Sequence, residues 1–252
     1  MMRAIPLIAF LLLGLLVRPG WALNYSYGGG GNCADIHTTI CFFEEFTGGN
    51  GTTGQIGTHG WSLIGTGSYS TTTSVKNDFG VGNILTGGAL NNAVGLFSNG
   101  VNPIIDLAFQ SIKVEMRALA DVTSFGNYRL GLTSNTAPAV ALNSGVYFET
   151  LAGETTWFCV TRNAGAQTRT NTGISNVAPP PDASIGFLQR FMLEKVPAGW
   201  RCTVEGTSVT NTTNFPSSGQ QNLFLSVHNS GTAEVDDMEI DYFFLQLGGV
   251  VR

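Results

Sequence analysis

Apolar and polar positions alternate most regularly between Gly145 and Gly173, a stretch that reads GVYFETLAGETTWFCVTRNAGAQTRTNTG. A period of two puts successive side chains on opposite faces of a strand, so the pattern predicts strands over 146–150, 156–162 and 167–171. Small and turn-forming residues fall between them, at Leu151-Ala152-Gly153 and Asn163-Ala164-Gly165, where the chain must reverse. Three strands in series with short turns make an antiparallel meander.

The same period recurs along the chain. Residues 104–118 hold the nearest approach to a helical pattern, yet Ile112, Val114 and Met116 fall on one face and Lys113, Glu115 and Arg117 on the other, as in a half-buried strand. Tyr128-Arg129-Leu130-Gly131-Leu132 is a further strand, and 191–196 and 200–204 form a hairpin across Pro197-Ala198-Gly199. Asn99-Gly100 is the best hairpin signal upstream, and the prolines in 176–182 make that segment a connector. Two closing strands are expected at 223–227 and 238–247, with Met238, Ile240, Tyr242 and Phe244 inward on the second. The opening strand at 41–46 is expected to pair with the last one. Many short strands and no convincing helix predict an all-β fold, a single-domain antiparallel sandwich.

Composition adds a location. Only 12% of the residues are charged, and 33 glycines with many Thr, Ser and Asn take their place, which suits a loop-rich extracellular β-protein. Arg3, the apolar run 5–17 and the small residues around Gly20-Trp21-Ala22 read as a signal peptide over 1–22. Its removal takes the formal net charge from −5 to −7, which argues against a nucleic-acid partner, and no later apolar run is long enough to span a membrane. Residues 23–41 follow as a glycine-rich segment, with Gly28 to Gly31 as a flexible linker. Cys33, Cys41, Cys159 and Cys202 make an even set in an exported chain and allow three pairings. The favoured one joins Cys33 to Cys41 locally and Cys159 to Cys202 between strands.

The opening Phe42-Phe43-Glu44-Glu45-Phe46, Tyr128-Arg129-Leu130-Gly131-Leu132, the meander with Trp157-Phe158-Cys159-Val160-Thr161-Arg162-Asn163, the 191–204 hairpin and the closing Asp236-Asp237-Met238-Glu239-Ile240-Asp241-Tyr242-Phe243 together resemble the concanavalin A-like lectin/glucanase superfamily. The meander is most similar to lectin-like domains of phage appendage proteins and secreted microbial surface proteins. The resemblance implies a jelly-roll sandwich over 42–248. That fold hosts lectins, hydrolases and structural domains alike.

Candidate chemistry is of three kinds. The family's β-glucanases carry a Glu-x-Asp-x-(x)-Glu strand whose two glutamates work as nucleophile and acid/base, about 5–5.5 Å apart. Glu234, Asp236 and Glu239 match those slots, but Asp237 stands where those enzymes have an apolar residue and the stretch lies on the final strand. No catalytic residue is therefore assigned. For sugar binding, Tyr147 and Trp157 offer rings to stack on a pyranose, and Arg162 and Asn163 offer donors, with Trp61 and Trp200 behind them. Arg162 and Arg169 flank one turn and suit an acidic sugar or a solubilised edge. No cofactor is expected, calcium being the one ion that oxygens of Asp236, Asp237 and Asn229 would suit. Sequons occur at Asn24, Asn50 and Asn211. The leading expectation is a secreted or cell-surface, non-catalytic lectin-like domain for carbohydrate or glycosylated surfaces. A structural or adhesive subunit that self-associates stands second, and a glycoside hydrolase third.

Overall fold

The computed structural model describes residues 39–46, 56–57, 61–72, 81–98, 104–120, 126–138, 141–177, 188–230 and 235–248. The expected leader, the glycine run, Cys33, Asn24, Asn50, Asn99-Gly100, the prolines after Ala178 and Glu234 lie outside the described residues.

The strands are, in order, β1 (Thr39–Glu45), β2 (Ser62–Gly65), β3 (Gly67–Thr72), β4 (Val81–Thr86), β5 (Ala93–Phe97), β6 (Ile104–Asp106), β7 (Ser111–Ala120) and β8 (Gly126–Thr133). They continue as β9 (Gly145–Thr150), β10 (Thr156–Asn163), β11 (Ala166–Ser175), β12 (Gln189–Val196), β13 (Gly199–Val204), β14 (Thr207–Asn211), β15 (Gln220–Asn229) and β16 (Asp237–Gly248). Two eight-stranded antiparallel sheets result. The first runs β14-β13-β12-β7-β16-β4-β3, with β1 also on β16, and the second runs β11-β10-β9-β8-β15-β5-β2, with β6 also on β15. The meander is the consecutive run β9-β10-β11, and β1 pairs with β16 from Thr39↔Gly248 to Glu45↔Tyr242.

Alternation fixes what each sheet buries. In β7, Ile112, Val114, Met116 and Ala118 enter the core between the sheets, where they join Trp157, Phe148 and Phe191. The last strand departs from simple alternation. Its register on β7 slips between Ile240 and Tyr242, and the extra residue of such a bulge inverts the phase downstream. Met238 and Ile240 point inward as expected, but Phe243, Leu245 and Leu247 follow them, and Tyr242 and Phe244 are half-buried on the other face. Nor is β16 an edge: it lies in mid-sheet, between β7 and the pair β4 and β1.

Two devices fasten the flank formed by the meander. Cys159 on β10 is bonded to Cys202 on β13, linking the two sheets across a sequence separation of 43. Constraint of the unfolded chain by a loop of that size contributes about 4 kcal/mol. Beside it, the Asn211 amide donates to the carbonyls of Cys159 (3.1 Å) and Thr168 (3.3 Å) and accepts from the Thr170 hydroxyl (2.6 Å). Asn211 is 1% exposed, so this sequon's amide is committed to closing the sandwich. Cys41 is also disulfide-bonded.

Candidate functional site

In β7, β12 and β16 of the first sheet, burial largely alternates. In β8, β9 and nearly all of β15, every residue is buried, so the second sheet is recessed on its outward face as well. Tyr128, Leu130, Leu132, Val146 and Phe148 face the core between the sheets, and their neighbours in sequence must face away.

Strand pairing arranges the outward residues in rows. His228 lies beside Asn127. The next row runs Ser226, Arg129, Glu149, Phe158, Asn171, followed by Phe224, Gly131, Tyr147, Val160, Arg169. The last row runs Asn222, Thr133, Gly145, Arg162, Gln167. Phe97, Leu142, Tyr147, Val160 and Phe224 form a second apolar cluster on this face, separate from the main core. Leu142 belongs to the β8–β9 connection, whose Asn143 carbonyl accepts from the Gly165 amide in the β10–β11 turn (3.3 Å). The connection is thus tied across the sheet.

The polar part of the face is a charge network. Glu149 accepts from Arg129 Nε (2.7 Å) and from Arg169 Nε (2.9 Å). The remaining Arg169 nitrogens bind both oxygens of Glu154, NH1 at 2.7 Å and NH2 in a shorter contact. The same guanidinium lies 3.5 Å above the Phe158 ring centroid, a cation–π arrangement. Burial acts against the charge of Arg169, but Glu154 and Glu149 hold its pKa above the ordinary value. Neither carboxylate is free to act as nucleophile or proton donor.

His228 is also fixed. The Ala152 amide donates to Asn127 Oδ1 (2.8 Å), which orients the Asn127 side chain so that its NH2 faces His228 Nδ1 at 3.3 Å. Nδ1 then accepts, and the neutral ring carries its proton on Nε2. Burial, reinforced by the Arg129 charge and opposed by Asp236, lowers the His228 pKa.

Of the residues anticipated from the sequence, the structure brings together Tyr147 and Arg162 and separates Trp157 and Asn163 from them. Trp157 is fully buried between the sheets, packed edge-on against Phe191 at 5.0 Å, with its indole N–H donated to Gln189 (2.8 Å). It offers no face to a ligand and is withdrawn from the binding set. Trp61 and Trp200 are likewise fully buried. Tyr147 does face outward, but beneath the second cluster at 1% exposure. Burial and then the Glu149 charge push its phenol up to about 12, against the Arg129 charge and the Arg162 guanidinium that donates to it. Arg162 is half-buried and Asn163 is exposed at the turn.

Of the carboxylates proposed by analogy with glucanases, the two that are described stand apart. Glu239 stands opposite Asn83 and Leu119 on the outward face of the first sheet, whereas Asp236 is fully buried and accepts from Tyr128 (3.4 Å). Asp237 accepts from the Asn83 amide (3.1 Å), and among the described residues no three His, Cys, Asp or Glu side chains come together as a metal site. Arg129, Glu149, Glu154, Asn127 and His228 were not singled out in the sequence, although an arginine inside the apolar Tyr128–Leu132 run was a usable signal. Among the described residues, no helix is long and apolar enough to cross a membrane.

No protein-family model matches the chain. No curated protein matches it either. Solved structures do. A protein of unknown function from Shewanella oneidensis MR-1 is 14% identical, with 85% of this chain and 90% of that one covered at a TM-score of 0.54. The carbohydrate recognition domain of Emp47p is 12% identical, with 86% and 99% covered and a TM-score of 0.51. A prokaryotic β-1,3-1,4-glucanase (lichenase) derived from a mouse hindgut metagenome is 12% identical, with 84% and 100% covered and a TM-score of 0.50. At these identities the likeness bears on architecture alone, and the architecture shared with them is the two-sheet antiparallel jelly-roll sandwich.

Proposed function

We propose that the chain is an exported, non-catalytic lectin-like domain that binds carbohydrate or glycosylated surfaces on the outward face of its second sheet. One observation carries this reading: at the meander end of that face, neutral amides gather around a guanidinium with no acid among them. Arg162 NH1 donates to Gln167 Oε1 (3.0 Å), and Asn143 is held there through Gly165 and through its own amide on Asn135 Oδ1 (2.8 Å), whereas Asn163, the next residue of the strand, is exposed in the opposite phase. Amides and guanidinium groups match the paired donors and acceptors of sugar hydroxyls. Recognition here would be by hydrogen bonds rather than by stacking, since Arg169 already covers Phe158. The carbohydrate recognition domain among the structural neighbours supports the reading by analogy only.

The leader expected at 1–22 supports export, and the Cys159–Cys202 bridge suits it, because disulfides persist in oxidising compartments. A glycan array probed with the mature protein tests the function. Binding weakened by Gln167→Ala supports it, and silence across neutral and acidic glycans refutes it. N-terminal sequencing of the secreted form tests the cut.

A structural or adhesive subunit remains the second reading, favoured by the edge strands. β2, β3 and β14 contain no charged residue and no proline, the usual guards against edge-to-edge pairing. Concentration-dependent assembly in light scattering, without glycan binding, would establish it.

A further inference from the structure

The structure describes six arginines, and five of them have a carboxylate partner. Arg117 pairs with Asp241, Arg129 with Glu149, Arg169 with Glu149 and Glu154, Arg190 with Glu115, and Arg201 with Glu194. Arg162 has none among the described residues. Its contacts are neutral oxygens, the Gln167 amide carbonyl and the Tyr147 phenol. Its Nε is buried and makes no hydrogen bond. In a chain with more acids than bases, this is a conspicuous place to leave a guanidinium uncompensated.

Local geometry keeps it so. Arg162 lies across β9 from Gly145 and across β11 from Gln167, and the next residue along its row is Thr133, so no cross-strand neighbour is an acid. The nearest outward carboxylate on β9, Glu149, is two rows away and is bound by Arg129 and Arg169. A half-buried cation whose described acceptors are all neutral keeps an uncompensated charge, which an anion arriving at the surface would balance. The planar fork of a guanidinium matches a carboxylate in bidentate fashion.

We infer that Arg162 is the specificity-determining contact for an acidic sugar, one that bears a carboxylate, bound at the meander end of the second sheet. The inference rests on the lectin-like reading and adds the ligand class. Gln167, exposed beside it on the same face, would meet the sugar's hydroxyls.

The test compares wild type, Arg162→Gln and Arg162→Lys on an array carrying neutral, uronic-acid-bearing, sialylated and sulfated glycans. Titration calorimetry with a galacturonic acid tetramer and the matched galactose tetramer follows. The expected result is preference for carboxylated glycans, weakened by added salt, with affinity lowered about 10- to 100-fold in Arg162→Gln, as for loss of a charge-assisted hydrogen bond. Arg162→Lys should fall between, because it keeps the charge and loses the fork. An unchanged melting temperature for both variants shows that the loss is not one of folding. Equal binding of acidic and neutral tetramers, or no effect of Arg162→Gln, overturns the inference while leaving the lectin reading intact. Preference for sulfated glycans overturns the carboxylate assignment, and no binding to any glycan overturns both.

Discussion

Replacing Glu149 by Gln is the sharpest perturbation of this fold. The Glu149 side chain is 6% exposed and neutralises two guanidinium groups, that of Arg129, 6% exposed, and that of Arg169, 19% exposed. Gln keeps the shape but brings no charge, and its NH2 would turn a donor toward one of the arginines. Removing one member of a buried ion pair costs about 3–5 kcal/mol, because the remaining charge loses its compensation without regaining water. Arg169 retains Glu154, so the lower half of that range is expected. Glu154→Gln is the control: Glu154 is 25% exposed, and solvent screening reduces the expected loss to about 1 kcal/mol. Urea unfolding followed by circular dichroism measures both, and an unchanged slope would show that stability rather than compactness had changed. A loss under about 1 kcal/mol for Glu149→Gln, or one no larger than that of Glu154→Gln, would refute the claim that Glu149 anchors the network.

Three further outcomes are expected. Replacing Cys159 and Cys202 together by Ser should lower stability by about 4 kcal/mol, the loop-closure value for a separation of 43, in the same unfolding assay. Asn211→Ala strands the Cys159 and Thr168 carbonyls and the Thr170 hydroxyl, and should cost about 2–3 kcal/mol with faster amide exchange in β11 and β14. The folded-state pKa of His228 is depressed, so the stability it contributes is full above the unfolded value near ~6.5 and declines as pH falls from there through the folded value. A melting temperature that is level between pH 8 and 7 and declines below pH ~6.5 is expected. His228→Asn should lessen the decline, and an identical profile in that variant would contradict the assignment.

Most strands were legible because a period of two is hard to imitate, and the β9-β10-β11 meander kept its order and turns. The phase of single residues was legible only in part. Trp157 shares its phase with Cys159, and a cysteine that bridges to the other sheet must point inward, so the ring's burial could have been deduced from the favoured pairing. The inversion after Ile240 was not legible, since Asp241 is one acid in a run of acids and nothing local marks the extra residue of a bulge. Nor could His228 be matched with Asn127, since they stand 101 positions apart and meet only through the β8–β15 register.

The outward face of the second sheet combines two requirements that usually conflict. A recessed polar surface has to be internally satisfied to be stable, whereas a binding surface has to keep some valence unspent. Here they are divided along one hairpin. Glu149, on β9, spends its charge on Arg129 and Arg169, and Arg162, on β10 two rows away, spends none. A ligand at Arg162 would meet groups already held in place by the β10–β11 turn and by the Asn143 contact, so little ordering would be needed on binding. The division also implies separable defects. Changes at Glu149 should reach ligand affinity only through unfolding, whereas changes at Arg162 should reach affinity with the fold intact. Glu149 and Arg162 share no ion-pair partner among the described residues, and the Tyr147 phenol that both influence is neutral, so the stability effects of Glu149→Gln and Arg162→Gln should add to within about 0.5 kcal/mol. A larger coupling would mean that Arg162 belongs to the scaffold after all.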